Sequence, residues 1–147
     1  MLWFMALLAV SVGFLLPLQA GVNASLRIAL NSPVLAAMGN FTVGGLLVLA
    51  YAVFSRTAAP TASELARVPL WCWLGGVCGA CLVFSGVLLS HRLGAATFTA
   101  CILLGQLSAS VVVDHFGLVG FAQHSINGPR LLGVGMMLGG ALLIRQF

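Results

Sequence analysis

The sequence predicts an all-α membrane protein: a single domain, residues 1–147, built of five transmembrane helices. Three observations carry that prediction. Of 147 residues, 61% are hydrophobic and only 5% charged, against about a quarter charged in soluble domains, and the mean hydropathy is +1.16. Apolar runs of about the 20 residues that a bilayer crossing needs alternate with short segments where most of the charged residues lie. The basic residues are all Arg, spaced singly between those runs. They read as anchors at the membrane interface and not as a nucleic-acid patch, despite a net charge of +4.

The first helix is predicted over 2–26. No basic stretch precedes it and its apolar part is long enough to span, so it reads as a retained helix and not as a cleaved signal. Its centre, LPLQAGVNASL, organises the chain. Pro17 lacks the N–H that a helix interior uses, and so bends or loosens the helix. Gln19 and Asn23 are four residues apart and share a face. A carboxamide facing lipid without a partner costs several kcal/mol, roughly, so that face belongs against other helices or a water-filled cavity. Two readings follow: the amides line a solute pathway, or they only tie helices together.

Asn31, Ser32 and Pro33 supply a turn before a second helix over 34–54, on which Asn40 and Gly44 share a face. The polar linker 55–68 contains Thr61 with Glu64 three residues on, a capping-box pattern that predicts a short interfacial helix. Pro69 opens a third helix over 69–90, with interfacial Trp71 and Trp73 and the close-packing pair Gly75 and Gly79. Cys72, Cys78, Cys81 and Cys101 fall in apolar segments without a second ligand pair, so no metal site and no disulfide framework is expected.

The very short connection 91–94 predicts a hairpin into a fourth helix over 95–113. There Gln106, Ser110 and Asp114 follow at intervals of four and line one face, while Thr97, Cys101 and Ser108 form a weaker one. Asp114 and His115 sit where this helix meets the interface. The fifth helix, over 130–145, is short for a crossing. With no polar side chain between Arg130 and Arg145, and with Gly133, Gly135 and Gly139 among large aliphatics, it reads as a packing or dimer helix.

Five crossings place Arg56, Arg67 and Arg130 on one side and Arg27, Arg92 and Arg145 on the other. The tie leaves no positive-inside preference, so the chain is expected to insert both ways up. An antiparallel, dual-topology homodimer then yields ten helices with inverted-repeat symmetry, the architecture that many transporters build in one chain. It also supplies room for a cavity that five helices alone lack.

PLQAGVNASL, GNFTVG, WCWLGGVCGA, GQLSASVVVDHFG and RLLGVGMMLGG, in this order, carry a family likeness. The chain resembles the short YdcZ-like branch of the drug/metabolite transporter superfamily over nearly its whole length, equivalent to one EamA-type half of the ten-helix members. The resemblance implies a multi-pass protein of the bacterial inner membrane that exports small molecules. Gln19, Asn23, Asn40, Gln106, Asp114 and His115 fall on the polar positions of those motifs. The fifth helix is also similar to the closing helix of the small multidrug resistance proteins, whose first helix carries a buried glutamate for proton exchange. Here that helix holds only carboxamides, which release no proton near neutral pH.

The resulting expectation is a secondary transporter, exporting small neutral or cationic amphipathic molecules by alternating access at a dimer cavity. Gln19, Asn23, Asn40, Gln106 and Ser110 are the substrate-contacting candidates, Asp114 and His115 the candidates for ion coupling, and Gly133, Gly135 and Gly139 the dimer-packing residues. The partners expected are membrane lipid, a second copy or a paralogue, and the solute; no cofactor and no nucleic acid. The alternative is an accessory subunit of a larger membrane complex without transport of its own. A membrane enzyme is disfavoured, because no nucleophile, zinc motif or phosphate loop accompanies Asp114 and His115.

Overall fold

The computed structural model describes residues 2–147, and every regular element among them is helical. The helices are α1 (Leu2–Gly13), α2 (Leu15–Leu30), α3 (Pro33–Phe54), α4 (Ala62–Arg67), α5 (Leu74–Leu93), α6 (Ala95–Phe116) and α7 (Gly128–Gln146). Short 3₁₀ turns occupy Leu70–Trp73, running into α5, and Leu118–Gly120.

The first predicted helix is two segments, interrupted at Phe14. The interruption lies one turn before Pro17, as the missing N–H requires: the Gly13 carbonyl loses its donor and meets the proline ring instead. Helix α2 also runs to Leu30, beyond the expected end at residue 26. Asn31, at φ +48°, ends it, and the Ser32 side chain caps α3 by accepting from the Leu35 N–H at 3.3 Å. The linker helix α4 has the predicted capping box: the Thr61 side chain accepts from the Glu64 N–H, and the Glu64 carboxylate accepts from the Thr61 N–H at 2.7 Å. A single residue, Gly94 at φ +81°, separates α5 from α6.

Four stretches are long and apolar enough to cross a membrane: Leu2–Leu30 taken across its break, Pro33–Phe54, Leu70–Leu93 and Ala95–Phe116. The expectation of five is corrected to four by this measure. Arg130 and Arg145 confine the apolar part of α7 to residues 131–144, about 21 Å of helix against a hydrocarbon core of about 30 Å.

The chain divides into two compact units, one of Leu18–Arg92 and one of Met1–Pro17 with Leu93–Phe147. In the first, α2, α3 and α5 meet along a seam of small side chains. Ala20, Ala24, Ala36, Ala37, Gly86 and Ser90 are all buried, and Val87 is fully so. Small residues let helix backbones approach closely, which drives association where lipid is as apolar as the protein. The Ser90 hydroxyl donates to the Gly86 carbonyl at 2.6 Å and lies 3.3 Å from the Ala20 carbonyl across the seam. Leu26 packs toward Gly39, where an added Cβ would sit 3.4 Å from its Cδ2.

In the second unit α6 packs on α7. Helix α6 extends through Phe116, three residues past its expected end, until Gly117 at φ +60° turns the chain. Asp114 and His115 are thereby helical residues of its last turn.

Candidate functional site

The polar residues singled out in the sequence differ in their surroundings. Asn23 is 5% exposed, flanked on α2 by the seam residues Ala20 and Ala24, whereas Gln19, one turn earlier, is exposed. The two carboxamides share a helical face by spacing, but the seam begins at Ala20 and takes in only the second. Asn40 is half-buried on α3. Gln106 and Ser110 are exposed on α6.

Asp114 and His115 are half-buried, and both hold the connection between α6 and α7. The Arg130 guanidinium donates to Asp114 Oδ2 at 3.3 Å and to the His124 carbonyl at 3.1 Å. The His124 N–H donates to the Asp114 carbonyl at 2.7 Å. His115 Nδ1 accepts from the Ile126 N–H at 3.2 Å, which places the ring proton on Nε2. The His115 carbonyl accepts from Gln123 Nε2 at 3.0 Å. Asn127 caps α7 by accepting from the Arg130 N–H at 3.0 Å. These contacts span the whole connection, so the sequence pattern Asp-His at a helix end is here a fastening for the loop that follows.

Gly133 is half-buried, while Gly135 and Gly139 are exposed, and a Cβ added at any of the three would meet nothing within 4 Å. The four cysteines are free and exposed, and among the described residues no cluster of His, Cys, Asp or Glu could hold a metal ion.

Among the described residues, cavities lie within each unit. One of about 420 Å³ runs between α6 and α7, with Ala96, Thr99 and Leu103 facing Met137 and Ala141, and is almost wholly apolar. A second, about 560 Å³, lies along α5 at Cys81, Phe84, Ser85 and Leu88. The third, about 370 Å³, is polar and is lined by Arg27, Asn31, His91 and Arg92. None of these three is lined by Gln19, Asn23, Asn40, Gln106 or Ser110.

Sequence reasoning missed two features. The alanines at 20, 24, 36 and 37 carry the seam, and the four-residue spacings Ala20/Ala24 and Gly86/Ser90 were the signal for it. The basic residues of the third cavity were read as separate anchors, because Arg27 and Arg92 are far apart in the chain.

Membrane-length helices, carboxamides set into them and a capped interfacial linker describe a multi-pass membrane protein. No curated protein and no solved structure matches the chain. The family described as "putative inner membrane exporter, YdcZ" matches residues 4–143. That family is one of transporters and not of enzymes, and its place is the inner membrane. By a match that covers nearly every residue, the chain belongs to the YdcZ family of inner membrane exporters.

Proposed function

We propose that the chain is a secondary transporter that exports small neutral or cationic amphipathic molecules by alternating access. The observation that carries this reading is the exposure of Gln19 and Gln106 on helices of membrane length. A carboxamide exposed to hydrocarbon costs several kcal/mol, roughly, so such groups are retained where water or solute meets them. Amides and hydroxyls bounded by aliphatic and aromatic side chains accept varied solutes without strong charge selection. Gln19, Asn23, Asn40, Gln106 and Ser110 are the solute-contacting residues in this proposal. The working form in this proposal is an antiparallel pair of chains, a second copy or a paralogue, packed partly through Gly133, Gly135 and Gly139. The open space beside those glycines supports it. The contacts of Asp114 and His115 support a holding role in preference to ion coupling.

Proteoliposomes loaded with ethidium, an amphipathic cation, test the reading. Wild-type protein is expected to accelerate ethidium efflux, and Gln19→Ala or Gln106→Ala to slow it by tenfold or more without changing the melting temperature. Efflux unchanged in both variants removes the carboxamides from the mechanism. A C-terminal tag scored on both faces of intact cells tests the antiparallel pair, and exposure on one face alone refutes it.

A further inference from the structure

The polar cavity of about 370 Å³ lies wholly within the Leu18–Arg92 unit, where the end of α2, the start of α3 and the end of α5 come together. Its lining includes two arginines, Arg27 and Arg92, with His91 and Asn31, and no acidic residue. Apolar Ala24, Ile28 and Pro33 complete the walls. Arg27 is half-buried, and its Nη1 donates to the Val87 carbonyl at 3.3 Å. That bond holds one nitrogen of the fork on the seam, and the guanidinium has further donors for a second partner.

Cations in the last turns of α2 and α5 already complement the partial negative charge of those helix ends. Such capping accounts for one Arg on each helix. It does not account for both converging, with a histidine and an asparagine, on one cavity without an acid. An arginine fork matches phosphate oxygens bidentately, and basic pockets between helices at the membrane surface hold anionic head groups. We infer that the cavity lined by Arg27, Asn31, His91 and Arg92 binds a phosphate group, carried by a membrane phospholipid or free in solution. The inference is independent of the transport reading, because none of these residues is among the proposed solute contacts.

The test uses the full chain in lipid nanodiscs and follows thermal unfolding through tryptophan fluorescence. In discs of phosphatidylcholine with a quarter phosphatidylglycerol, the melting temperature is expected to rise by several degrees over discs of phosphatidylcholine alone. A rise in the phosphatidylcholine discs on adding inorganic phosphate instead identifies the free ion. In either arm, Arg92→Gln and His91→Gln, both at exposed positions, should weaken the effect, with affinity falling about fivefold for the arginine. Arg27→Lys keeps the charge and retains part of the effect. Arg56→Gln, outside the cavity, leaves it intact. No shift from either probe overturns the inference, as does a shift equal in wild type and Arg92→Gln.

Discussion

Arg130 Nη1 lies 3.3 Å from Asp114 Oδ2, with the two side chains 31% and 30% exposed. The same guanidinium reaches the His124 carbonyl at 3.1 Å, so one arginine clamps both the end of α6 and the chain that leads to α7. This is the one ion pair among the described residues, and it joins the acid that the sequence marked for coupling to the arginine that opens the fifth predicted helix.

Replacing Asp114 by Asn should therefore act on the loop first. A pair so exposed contributes about 1 kcal/mol or less, so the melting temperature should drop by a few degrees. Hydrogen exchange at the His124 and Ile126 amides should quicken, while the pH profile of solute efflux keeps its shape. A variant whose efflux loses its pH dependence would transfer ion coupling back to Asp114.

The break at Phe14 should close when Pro17 is replaced by Ala. The backbone N–H introduced at position 17 can then bond the Gly13 carbonyl, removing a helix-interior penalty of about 3 kcal/mol. Slow amide exchange at position 17 is the expected readout. If solute efflux falls at the same time, the break serves the transport cycle.

Enlarging the seam should unfold the Leu18–Arg92 unit more readily than trimming its rim. Ala36 is 0% exposed, whereas its neighbour Leu35 is 49% exposed. Ala36→Leu is expected to cost about 1–3 kcal/mol through overpacking, and Leu35→Ala far less. Chemical unfolding in detergent micelles compares the two.

The linker helix α4 should respond to acid. Hydrogen bonds from the Thr61 backbone N–H and then from its hydroxyl hold the Glu64 carboxyl below its ordinary value of 4.5. A depressed carboxylate stabilises the folded form fully above that ordinary value and loses its effect as pH falls through the lower folded one. Protection of the Thr61 amide, taken relative to its intrinsic exchange rate at each pH, should accordingly be greatest at neutral pH and fall below about 4.5. Glu64→Gln, which removes the titrating carboxyl, should abolish that pH dependence.

Much of the fold was legible because its rules are local. Long apolar runs mark the spans, Pro17 places the break one turn upstream, and Thr61 with Glu64 marks the cap of α4. The end of α6 differs for a local reason too: its boundary is set by the left-handed backbone at Gly117, four residues after Val113, and not by the polar pair Asp114 and His115.

What the sequence by itself determined is thus the approximate extent of most helices, their membrane setting and, through its motifs, the family. Only the tertiary structure decided which residues face inward. In a chain apolar on every side, hydropathy does not separate the packed face from the lipid face. The choice falls to how closely small side chains from distant segments let backbones approach. Hence Ala20, Ala24, Ala36 and Ala37 form the seam, while a Cβ added at Gly75 or Gly79 would meet nothing within 4 Å. For the same reason Asn23 is buried and Gln19 is not, and Arg27 shares a cavity with Arg92.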